Sequence, residues 1–204
     1  MFGRAERVRR FPYLQPLVRD TAGAEIVEFA VSLPLLVVVL VGIFDFGSAF
    51  NVKHKLDNAA LQGARVASNQ PANDLSSGGT PPCSAPESIC VVRDIVDTTM
   101  TRSKLNDCGL AAAAGTLGPA LTWTFTANTS CPGTLTLKIE RGFWYDTTLP
   151  SPPFQANYRI EATRVTLSYP YRWQFNRAIG LVAPGASYPG TSQLISVASM
   201  QNLN

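Results

Sequence analysis

From Phe29 to Phe44 the chain reads FAVSLPLLVVVLVGIF, a run with no charged residue. As a helix rising about 1.5 Å per residue it reaches roughly 24 Å, short of the ~30 Å hydrocarbon core of a bilayer. A spanning helix must therefore draw in Glu28 at its N-terminal side. Beyond the run the pattern turns amphipathic: Ala49, Val52, Leu56, Ala59, Ala60, Gly63 and Ala67 recur at three- and four-residue steps, while Lys53, Asp57, Gln62 and Arg65 occupy other faces. This predicts a single helix that starts near residues 22–24 and ends near Ser68. Pro34 interrupts it, because proline lacks the backbone donor and kinks a helix. The small residues of the stripe permit close backbone approach, to the chain's own globular domain or to neighbouring subunits.

The stretch QPANDLSSGGTPPCSAP, residues 70–86, has the proline, glycine and serine content of a loop. After it, Cys90 to Leu105 can form a second amphipathic helix with Val92, Ile95, Val96 and Leu105 inward. Past Gly118 the period becomes two. Leu121, Trp123, Phe125 and Ala127 alternate with threonines, and Leu135, Leu137 and Ile139 alternate with Thr136, Lys138 and Glu140, as in half-buried antiparallel strands. Tyr158, Ile160 and Ala162 begin a third strand whose phase slips at Thr163-Arg164 before Val165, Leu167 and Tyr169, which predicts a bulge or a change of facing. A last strand runs from Ser192 to Gln201. The aromatic clusters Trp144-Tyr145 and Tyr169 to Trp173 read as core packing. The sum is an α+β fold: a long N-terminal helix followed by a domain with an antiparallel sheet.

Charge sharpens the orientation. Met1 to Gly23 holds Arg4, Arg7, Arg9, Arg10 and Arg19 against Glu6 and Asp20, and this segment carries the whole formal excess of +3. By the positive-inside rule the N-terminus stays in the cytoplasm and the bulk of the chain lies outside. With no net positive charge after Gly23, a nucleic-acid role loses its electrostatic basis. Cys83, Cys90, Cys108 and Cys131 all follow the apolar run, where an oxidising periplasm favours disulfides. Three connectivities are possible; the local one, Cys83 with Cys90 and Cys108 with Cys131, is preferred. No Cys-x-x-Cys, G-x-S-x-G, H-E-x-x-H or phosphate loop occurs, and the only histidine, His54, stands beside the apolar run. No enzyme, metal or cofactor is expected. Asp45, closing the apolar run, marks the outer membrane boundary.

Glu28 needs a reason, since a carboxylate inside a membrane costs roughly 2.5–3.5 kcal/mol even on the lenient insertion scale. If the chain were cut after Gly23, Ala24 would present an amine and Glu28 would be the fifth residue. In staggered copies, the amine of one subunit and Glu28 of another could neutralise each other. The arrangement resembles the class III signal of type IV prepilins. More closely, the block from Ala24 to Ser68 resembles the TadE-like family of minor pseudopilins of the tight-adherence (Flp) pilus. The likeness rests on Glu28-Phe29-Ala30, Leu33-Pro34-Leu35, Gly42, Asp45-Phe46-Gly47, Asn58-Ala59-Ala60 and Gly63-Ala64-Arg65. Phe29 stands where the major Flp pilins usually carry tyrosine, and the region after Gln70 is longer than theirs, which together imply a minor or initiating subunit.

The resemblance implies a pilin-like lollipop in three parts: a leader, residues 1–23, removed by a prepilin peptidase; a transmembrane and extension helix, residues 24–69; and a periplasmic domain, residues 70–204. It implies as partners that peptidase, other pilins and pseudopilins and inner-membrane platform proteins, and it leaves open adhesion by the pilus. Two rival readings use other cuts. Gly47-Ser48-Ala49 offers small residues to an ordinary signal peptidase, which would release a soluble domain beginning at Phe50. Without any cut, the chain would be a bitopic anchor for a periplasmic binding domain.

Overall fold

The computed structural model describes residues 21–151, 154–174 and 190–203; the basic leader expected up to residue 20 lies outside them. Helix α1, Thr21–Asn69, is continuous through Pro34. Helix α2, Glu87–Arg102, and a single 3-10 turn at Leu110–Ala112 follow. Among the described residues five strands come next: β1 (Gly115–Gly118), β2 (Thr122–Ala127), β3 (Leu135–Ser151), β4 (Phe154–Arg172) and β5 (Thr191–Gln201). They form one antiparallel meander in the order β1-β2-β3-β4-β5. The α+β class read from the sequence is the one observed.

The core lies between one face of this sheet and the two helices. From the sheet come Trp123, Phe125, Leu135, Leu137, Ile139, Val165 and Leu167, and from α1 Leu56, Ala59, Ala64 and Ala67, all buried. The small-residue stripe of α1 therefore packs on the chain's own domain. Gly63 marks the closest approach, since a Cβ there would lie 2.7 Å from Val96 Cγ2 on α2.

Helix α2 differs from its expected extent at both ends. It begins earlier, at Glu87 behind Pro86, and Asp74 caps it from the preceding loop: its carboxylate accepts from the Ser88 backbone N–H and from Ser88 Oγ, both at 2.9 Å. It ends earlier, at Arg102. Lys104, with φ 56°, lies in the left-handed region and closes a Schellman pair, its N–H reaching Thr101 O at 2.9 Å while Leu105 N–H reaches Met100 O at 3.0 Å. The inward stripe is consequently Ile89, Val92, Val96 and Met100, with Ile95 and Leu105 only half buried. The disulfides join Cys83 to Cys90, with Cα atoms 6.0 Å apart, and Cys108 to Cys131, 5.4 Å apart. The first ties the loop to the opening turn of α2, and the second ties the segment after α2 to the β2–β3 connection.

Strand β1 was not foreseen, because Gly115-Thr116-Leu117-Gly118 has no buried alternate face. Leu121, expected inward, has φ 50° in the β1–β2 turn and is exposed. The irregularity anticipated at Thr163-Arg164 is real, but its extra residue sits on the partner strand. Glu140 pairs with Arg164 and Phe143 with Ala162, so Arg141 and Gly142 on β3 oppose Thr163 alone. Past this bulge β3 and β4 continue as a two-stranded ribbon beyond β2 and β5. Trp144 and Tyr145 stand half exposed on it and not in the core; the Arg159 guanidinium lies 3.6 Å from the Trp144 ring centre, and Arg164 lies 3.5 Å from that of Phe143.

One carboxyl on α2 makes folding pH-dependent. Burial, together with a hydrogen bond to Asp107 and the charges of Asp107 and Asp94, raises Asp97 to about 6. A carboxyl whose pKa is raised by folding stabilises the native state below its unfolded pKa, and that contribution is lost as pH climbs through the folded value. At pH 7 an ionised Asp97 is therefore unfavourable. Asp97→Asn should raise the melting temperature at pH 7, by a free energy on the order of 1 kcal/mol after allowing for solvent screening, and the gain should vanish by about pH 4. Melting curves of both chains across that range give the check.

Candidate functional site

Helix α1 has two halves in different surroundings. From Asp45 onward it is seated on the domain; before Asp45 it stands bare, with Ile26, Val27, Phe29, Val31, Leu35, Ile43 and Phe44 all exposed. This is one helix long and apolar enough to cross a membrane, with a mean hydropathy of 2.7 in its most apolar window. From Ala24 to Phe44 the bare part rises about 31 Å, which matches a bilayer core. Glu28 projects from it exposed, about 25 Å along the axis from Asp45. Gly23 and Ala24 are helical and exposed, and a Cβ at Gly23 would meet nothing within 4 Å. Near Pro34, Ser32 Oγ donates to the Glu28 carbonyl at 2.8 Å, a bond within the preceding turn.

The junction between the halves is built from residues far apart in sequence. Asp45 is buried against β4 and does not face open water. Tyr171 donates its hydroxyl to Asp45 Oδ1 at 3.1 Å. Burial, reinforced by that hydrogen bond, pushes the Tyr171 hydroxyl up to about 12, so it remains a donor throughout the physiological range. Trp173 packs edge-on against Phe46 of α1, with ring centres 5.3 Å apart, and against Tyr171 at 5.1 Å. Its indole N–H donates to Ser192 Oγ at 2.6 Å. This collar of Asp45, Phe46, Tyr171 and Trp173 fastens the helix where it leaves the domain.

Further along, Asp57 accepts from Lys53, one turn before it on α1, and from Ser196 Oγ on β5 at 2.5 Å. Burial alone would raise this carboxyl, but the hydrogen bonds from Lys53 and Ser196 outweigh it and hold it below its usual value. At the far end of the helix Leu203 N–H donates to Ser68 O at 3.2 Å. Pairing Asp45 with Tyr171 was beyond sequence reading, since a strand tyrosine and a helix aspartate 126 residues apart share no local pattern.

The arrangement defines a class: a sheet domain carrying a long helix whose amphipathic half is built into the core and whose apolar half projects free. Residues 23–65 of that helix match the sequence model of the TadE-like protein family, as the motifs from Glu28 to Arg65 led one to expect. That family is one of structural Tad pilus components and is not known as a family of enzymes. No curated protein and no solved structure matches the chain.

Proposed function

We propose that this chain is a minor pseudopilin of a Tad-type pilus, cut after Gly23 by a prepilin peptidase and anchored in the inner membrane with its domain in the periplasm. The observation that carries the reading is the bare half of α1. Because Asp45 is held on the domain by Tyr171, a membrane-spanning segment must be counted back from Phe44, and about 30 Å of helix then ends at Ala24. The span and the proposed mature N-terminus thus coincide, and Glu28 falls within the far leaflet. Leader, span with its extension, and domain divide at residues 23 and 69. Pilins, pseudopilins and platform proteins of the same system are the partners.

A cut at Ala49 would remove Asp45 and Phe46, the partners of Tyr171 and Trp173, and would sever a helix at a buried residue. The deciding experiment is peptide mass spectrometry of the mature N-terminus, on membrane and sheared-surface fractions from the native host. A chain starting at Ala24 is expected, and replacing Gly23 with a bulky residue should leave the precursor uncut. A terminus at Phe50 or at Met1 would overturn the reading.

A further inference from the structure

The bulge on β3 buries an arginine whose hydrogen-bonding capacity is mostly unused. Arg141 is 5% exposed. Its Nη2 donates to Gln70 O at 2.8 Å and weakly to Pro71 O at 3.4 Å, while Nε and Nη1 are buried without a hydrogen-bond partner among the described residues. Those two nitrogens carry three N–H donors. Among the described residues no carboxylate forms an ion pair with it. Burial lowers its pKa, opposed only by the charge of Asp74. A guanidinium enclosed without a counter-ion is costly, and an anion bound beside it would offset that cost.

The same arginine lines a cavity of about 160 Å³. The bulge creates the space: by the strand register, Arg141 and Trp144 share the helix-side face that an unbroken strand would assign to Arg141 and residue 143. Leu75, Leu121 and Trp144 supply apolar walls, Ala72 stands among the lining residues, and Glu161 lines the cavity as an exposed side chain. We propose that this cavity is a binding site for a small monocarboxylate, held by the Arg141 guanidinium with its short aliphatic part against Leu121 and Trp144. A single negative charge balances the arginine. A dianion such as phosphate would exceed that balance and be repelled by Glu161, and it would gain nothing from the apolar walls.

The site is independent of the pilus reading, and its test needs no pilus. The full-length chain in detergent is melted at pH 7 and constant ionic strength in rising acetate or propionate, with chloride and phosphate as controls. A saturable rise in melting temperature is expected for the carboxylates, of a few degrees at concentrations far above Kd, and none for the controls. The rise should disappear in Arg141→Met and in Ala72→Leu, which narrows the cavity without touching the arginine. Glu161→Gln should strengthen it, lowering the half-saturating concentration about two- to three-fold. If Arg141→Met does not fold, the parent, Ala72→Leu and Glu161→Gln decide the matter. No saturable carboxylate response in the parent, a response equal to that of chloride, or one that persists in Ala72→Leu would overturn the site.

Discussion

Gly63→Leu is expected to destabilise the domain by about 3 kcal/mol or more, a large part of the roughly 5–15 kcal/mol that holds a typical domain folded. The reason is contact with three valines on two elements: a Cβ at Gly63 would stand 2.7 Å from Val96 and 3.7 Å from Val92 on α2, and 3.5 Å from Val165 on β4. Valine is stiff at χ1, so the neighbours cannot swing away, and relief requires α1 to lift from α2 and the sheet. Gly63→Ala separates the contributions. Alanine gains up to about 1 kcal/mol in helix propensity, yet overpacking costs about 1–3 kcal/mol, so a smaller net loss is expected. Combining Gly63→Ala with Val96→Ala should be markedly less damaging than the sum of the two changes, because the second removes the methyl that the first strikes. Chemical denaturation of the four chains measures this coupling. A Gly63→Leu chain as stable as the parent would mean that α1 does not approach α2 this closely.

The second large effect falls on assembly and leaves the fold alone. Glu28→Ala should insert, be cut and accumulate normally, because Glu28 touches no part of the domain and its removal eases entry into lipid. Surface pili should nonetheless be largely lost, since the amine of a neighbouring Ala24 would have no carboxylate to meet in a low dielectric. The readout is paired: immunoblots of the membrane fraction for processed protein, and electron microscopy of sheared filaments for pili. Normal piliation with the alanine chain would remove Glu28 from the mechanism, while absence of the processed chain would mean that the carboxylate acts at insertion or cleavage instead.

What could be read in advance follows from the range of the forces involved. Leu135, Leu137 and Ile139 announce their strand because alternation is local, and the stripe from Ala49 to Ala67 announces a packed face for the same reason, but not which surface it packs on. Both disulfides join neighbours in sequence, Cys83 to Cys90 and Cys108 to Cys131, which is the pairing preferred among three that the sequence left open. The ends of α2 were misjudged because its caps are not conventional residues: Asp74 arrives from a loop fourteen residues earlier, and the left-handed position belongs to a lysine instead of a glycine. The alternation that ends at Ile139 puts Arg141 on the inward face, but the pattern does not say that a bulge will enclose a charged residue there. For the bare half of α1 the expectation rests on composition and spacing, Gly23 to Glu28 above all. For the collar the sequence was silent, since Asp45 and Tyr171 meet only once the sheet exists.

The placement of β5 has a consequence for how the chain is made. Among the described elements, the first helix rests in part on the last strand, through Asp57 with Ser196 and Ser68 with Leu203. Until β5 has been made, Leu56, Ala59 and Ala67 have an incomplete partner surface, so the unfinished product carries a sticky helix that must be shielded. Docking of that helix thus serves as a completeness check: a chain truncated before β5 would keep its apolar helix but be unable to finish its own core.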